Sequence, residues 1–137
     1  MNNSLAIEIE IDQPHDEAIG TVEQALAGEG FGVLTRIDLD KAFEEKLGAT
    51  FRPYSILGAC NPSLALRAVS AVPEVGLLLP CNVTVEAVTE TRSMVRIIDP
   101  EAMLGIGGLV DSPVIGEVAS EAREMLQRVA ASLERSS

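Results

Sequence analysis

The residues in this sequence with the means to do chemistry gather around one dipeptide that occurs twice: Cys60-Asn61, followed by Pro62, and Cys81-Asn82, preceded by Pro80. Asn61 has the chemistry of a helix N-cap and Pro62 that of a first helical position. Cys60 therefore sits where backbone N–H groups and a helix dipole favour a thiolate or a bound anion. Most free cysteines are instead small buried hydrophobes, and that description suits Cys81 even better than Cys60. The candidate ligand-binding set is Cys60, Asn61, Pro62, Cys81, Asn82 and Tyr54, with Cys60 the candidate nucleophile. His15 is the only histidine; it falls in a helix first turn and reads as solvent-facing, with no spacing that pairs it with Cys60. Arg67 reads as a solvated helix face. No metal is assigned, because zinc asks for about four ligands and the chain offers two cysteines and one histidine at no ligand spacing. The Gly-rich run at 105–108 lacks the lysine and the strand-to-helix context of a phosphate loop, and no cofactor is assigned.

These residues need elements to hold them. Leu5, Ile7, Ile9 and Ile11 alternate with Ala6, Glu8 and Glu10, which predicts a strand over 5–11 with one wet face. Pro14, Asp16 and Glu17 open a helix whose apolar side is Ala18, Ile19, Val22, Ala25 and Leu26, ended by Gly28 and Gly30. A short strand over 33–37 leads to Asp38, a cap for a short inserted helix stopped by Gly48. Residues 51–59 read as a third strand, followed by the Asn61-Pro62 helix with Leu64, Ala65, Ala68, Val69 and Val72 on one face, closed by Pro73. Residues 77–88 read as a strand interrupted at Pro80, 89–92 as a hairpin turn, and 94–98 as a last strand stopped by Asp99-Pro100. Residues 101–111 read as an apolar loop, either a lid over one end of the sheet or a subunit contact. Ser112 and Pro113 start a final helix with the stripe Val118, Ala122, Met125, Leu126, Val129 and Leu133. If strands three and four run parallel through the helix between them, Cys60 and Cys81 lie several residues apart along the strands, too far for a disulfide.

At 137 residues the chain makes one domain, 1–137, able to bury a core without staples. With no Trp and few aromatics, that core is aliphatic. A formal charge of −11 and scattered basic residues argue against nucleic acid and anionic membranes as partners. No apolar run is long enough to span a bilayer, and no signal segment opens the chain, so the expected compartment is the cytoplasm and the expected state of the cysteines is reduced.

Stripped of the short helix and the last elements, the order is strand-helix-strand-strand-helix-strand. This gives an α+β two-layer sandwich of about five strands, mixed or antiparallel, with helices on one face: a ferredoxin-like core elaborated by an extra strand and a long C-terminal helix. The segments Gly58-Ala59-Cys60-Asn61-Pro62 and Leu77-Leu78-Leu79-Pro80-Cys81-Asn82-Val83, with Gly30-Phe31-Gly32-Val33-Leu34-Thr35, Tyr54-Ser55-Ile56-Leu57 and Asp99-Pro100, resemble the pattern of the family called domain of unknown function 302 over nearly the whole chain. The resemblance implies a small α+β protein that forms homodimers, with no assigned reaction. Three functional readings follow: a homodimeric protein binding a small ligand, anionic if it uses the helix start; a thiol enzyme or redox sensor using Cys60; and a structural or partner-binding subunit.

Overall fold

Alternation of Ile7, Ile9 and Ile11 with Glu8 and Glu10 builds strand β1 (Ala6–Ile11), whose isoleucines are buried. In the computed structural model, which describes residues 5–136, β1 is followed by α1 (His15–Ala27), β2 (Gly32–Asp38), α2 (Leu39–Leu47), β3 (Tyr54–Cys60) and α3 (Pro62–Ala71). A 3-10 turn (Pro73–Leu78), β4 (Cys81–Ala87), β5 (Ser93–Ile98), α4 (Pro100–Leu104), a second 3-10 turn (Ile106–Asp111) and α5 (Pro113–Ser136) complete the chain.

The α+β class, the five strands and the long last helix are as expected. The pairing is not that of a ferredoxin-like core. The sheet order is β1-β5-β4-β3-β2 and every pair is antiparallel. Strands β2 to β5 thus form a meander, and β1 closes it by pairing with β5. The segment between β3 and β4 is a long hairpin connection, not a parallel crossover.

One sheet face is covered by α1 and α5. Rows such as Ile7–Ile97–Val83–Leu57 pack on Ile19, Val22 and Leu26 of α1 and on Leu126, Val129 and Leu133 of α5. A second apolar cluster joins α3 (Leu64, Ala68), Val75, Cys81, α4 (Met103, Leu104) and the first half of α5 (Ile115, Val118, Ala122). Val33 and Met125 are only half-buried and pack against the edge of the first cluster. On the other sheet face Arg96 bridges Glu8 (2.8 Å) and Glu86 (2.6 Å), and Arg52 also holds Glu86, so the expected wet face carries a charge ladder in which Glu86 is only 8% exposed.

Two local readings are corrected. Leu77 and Leu78 belong to the 3-10 turn that Pro73 opens, and Leu79 leads through a cis peptide to Pro80; the strand begins only at Cys81, because Pro80 has no N–H to give a ladder. Residues 101–111 are not a loop. Asp99 accepts a hydrogen bond from Glu101 N (2.9 Å) and Pro100 occupies the first turn, so the pair that stops β5 also starts α4. Met103 and Leu104 then fold back over this chain's own second cluster.

Candidate functional site

The register of β3 and β4 decides where the two Cys-Asn steps meet. Ala59 lies opposite Cys81 and Gly58 opposite Asn82, so residues far apart in sequence stand side by side at one end of the sheet. The expected separation of the thiols rested on a parallel pair, and the antiparallel register removes it; both cysteines are free. Gly58 makes the approach possible. A Cβ there would collide with Thr35 Oγ1 and stand 2.7 Å from Pro80 Cγ, so only glycine lets Pro80 lie against β3.

Asn61 is the N-cap of α3 as expected: its Oδ1 accepts from Leu64 N (3.2 Å), with Pro62 at the first helical position. Its Nδ2 contacts Met125 Sδ at 3.8 Å. Both ends of the amide are therefore engaged within the protein. Beside it is a cavity of about 40 Å³ lined by Cys60, Asn61, Leu64, Leu79, Cys81 and Leu104, together with other apolar residues of β3, α3 and α5. α4 forms part of its wall through Pro100 and Leu104.

Burial, with a smaller contribution from the charge of nearby Cys60, pushes the Cys81 thiol up to about 11. Cys81 is thus protonated at neutral pH and behaves as a core residue. Cys60 is half-buried at the strand end. Asn82 is exposed on the other side of β4, beside a shallow hollow of about 310 Å³ with Leu77, Leu79, Pro80 and Met103.

The remaining expected site residue lies elsewhere. Tyr54 begins β3 while Cys60 ends it, roughly 20 Å away at about 3.3 Å per residue. Its ring leans on Phe51 with centroids 6.4 Å apart, in a cluster that includes Phe43. Arg67 is held by Glu121 (2.8 Å) and Glu117 (3.6 Å) of α5.

The model of the family described as domain of unknown function DUF302 matches residues 7–133. This chain belongs to the DUF302 family. A crystal structure of an uncharacterized conserved DUF302 protein from Bacillus stearothermophilus is similar to it, with a TM-score of 0.79 and 29% identity over 96% of this chain and 98% of that one. No curated protein matches. The twin Cys-Asn steps of this DUF302 chain fall inside the matched span, and no described helix is long and apolar enough to cross a membrane.

The site that sequence reasoning missed is at the opposite end of β3. His15 Nε2 lies 2.9 Å from Ser55 Oγ, and Ser55 Oγ donates to Asp38 Oδ1 at 2.6 Å. The three residues come from α1, β3 and the end of β2, with 40 positions between His15 and Ser55, so no local spacing announces them. The alternation of β3 alone offered a signal, since it places Ser55 on the same face as Leu57, where a buried hydroxyl must find partners.

Proposed function

We propose that this chain is a small-molecule binding protein that works as a cytoplasmic homodimer, its ligand entering at the head of α3 beside Cys60, Asn61 and Cys81. The observation that carries the reading is the cavity there, formed where both Cys-Asn steps converge and walled almost entirely by apolar side chains. Asn61 already caps α3 with its own oxygen, so the helix start favours an apolar ligand group over a free anion. At about 40 Å³ the space is well below the roughly 150 Å³ that accepts a benzene ring, so the ligand inserts only a small group or displaces α4.

The dimer reading is supported by the far edge of the sheet, not by residues 103–110. Among the described residues β2 has only β3 as a strand partner; it exposes Leu34 (67%) and Ile37 (50%), and α2 beside it has no buried residue. Such an edge invites a second copy.

The test is calorimetry against a panel of small metabolites, with the wild type compared with Ala65→Leu, which fills the cavity from α3. Saturable binding that the filled variant loses is the expected result. Binding unchanged by the filling, or no binding from the panel, overturns the reading.

A second reading, thiol chemistry at Cys60, is favoured by the register that brings a second thiol near it. Since Cys81 holds its proton, Cys60 is the nucleophile of that reading. Alkylation rates of the folded protein against pH, in wild type and Cys60→Ser, check it: a Cys60 that does not react while folded removes it.

A further inference from the structure

The His15–Ser55–Asp38 chain fixes the state of a histidine. Ser55 is fully buried and has one proton to give, and Asp38, as a carboxylate, only accepts; the short bond between them therefore commits the Ser55 hydrogen to Asp38. Toward His15 the hydroxyl is left as an acceptor, so His15 Nε2 carries the hydrogen of that contact. In the neutral imidazole Nδ1 is then the bare nitrogen, and no described residue hydrogen-bonds it. A carboxylate that orients a histidine is the arrangement by which proteins make an imidazole a directed base; here the carboxylate is the half-buried Asp38 and a serine hydroxyl stands between the two.

The ring lines a cleft of about 250 Å³ between the heads of α1 and α2, with Asp16, Arg36, Asp40, Lys41 and Pro53. The charges of this cleft are unequally engaged. Arg36 (3.0 Å) and Lys41 (3.8 Å) both pair with Asp38. Asp16 and Asp40 hold no ion pair among the described residues, although Asp40 Oδ1 accepts from Tyr54 N. The uncommitted charge around His15 is thus negative, and it suits a cation.

We propose that His15 is the acid–base group of a second site, which binds a small amine as its ammonium ion between Asp16 and Asp40 and takes a proton from it on Nδ1. The ammonium N–H bond breaks, its electron pair stays on the amine nitrogen, and a new N–H bond forms at Nδ1. The positive charge gained by the imidazole faces Asp38 through Ser55. Ser55 and Asp38 are positioning residues in this site. It lies at the other end of β3 from the thiol cavity and stands or falls separately from it.

The experiment is long-range proton–nitrogen NMR of the ¹⁵N-labelled full chain at mildly alkaline pH, with ethanolamine as the probe and acetate as the control at equal ionic strength. The expected spectrum shows hydrogen on Nε2 alone. Ethanolamine shifts the Nδ1 resonance saturably, acetate does not, and Asp40→Asn weakens the ethanolamine response about tenfold, the weight of one charge-assisted hydrogen bond. Ser55→Ala, with its amide spectrum confirming the fold, mixes the tautomers; should it fail to fold, Asp38→Asn serves the same purpose by releasing the serine hydrogen. Hydrogen on Nδ1, a tautomer indifferent to both substitutions, no response to ethanolamine, or an equal response to acetate overturns the proposal.

Discussion

The two ends of β3 solve opposite problems with the same strand. At the Cys60 end the side chains are apolar, the cavity is small, and the buried thiol of Cys81 keeps its proton. At the Ser55 end the buried group is a hydroxyl, and it is tied at once to a carboxylate and an imidazole that reach more open clefts. Burial alone, then, does not fix chemistry. A thiol without partners is driven to its neutral form, whereas a hydroxyl with two partners transmits charge between them.

The largest loss is expected at the apolar end. Leu64 is buried in the second cluster beside the cavity, and Leu64→Ala is expected to cost about 2–5 kcal/mol in chemical denaturation. A loss below about 1 kcal/mol would mean that α3 does not rest on that cluster.

A pH series sharpens the contrast. Cys81 is raised in the folded state, so its contribution is fully present below the unfolded thiol value and is lost as pH rises from there toward about 11. Each unit of such a shift is worth about 1.4 kcal/mol, and Cys81→Ala should remove this alkaline slope. Asp38 behaves in the opposite sense. The Ser55 hydrogen bond, opposed by burial and helped by Arg36 and Lys41, holds it below the usual carboxylate range; its contribution is present above the unfolded carboxylate value and lost as pH falls through the folded one. Denaturant midpoints at alkaline and acid pH, for the wild type and each variant, check both signs.

The smallest effect is expected from Ser55→Ala, about 1–3 kcal/mol, because the partners it leaves are only partly buried and water can replace the hydroxyl. A loss that is present above the ordinary carboxylate range and fades as pH falls through it would trace the effect to the Asp38 carboxylate.

Local signals were legible in the sequence where one short stretch held all of them. The alternation of Ile7, Ile9 and Ile11 gave β1, and Asn61-Pro62 gave the start of α3 and its cap. The left-handed Gly48 gave the end of α2. Pairing was not legible, because a helix between two strands suggests a parallel crossover, and only the register shows that β3 and β4 run antiparallel. The same gap hid both halves of the site geometry. The nearness of Cys60 to Cys81 and the joining of His15 to Ser55 are products of tertiary register, and neither follows from the spacing of the residues that make them. Asp99-Pro100 misled for another reason: it ends a strand and caps a helix with the same two side chains.

The register of β3 and β4 also bears on the order in which the sheet assembles. Cys60 and Cys81 close a connection of about twenty residues, whereas β4 and β5 are joined by the short turn at 88–92; since each doubling of a loop costs about 0.6 kcal/mol in closure entropy, the longer connection starts roughly 1 kcal/mol behind. The β4–β5 hairpin therefore has the cheaper first contact, which favours β3 adding to a ribbon already formed over the reverse order.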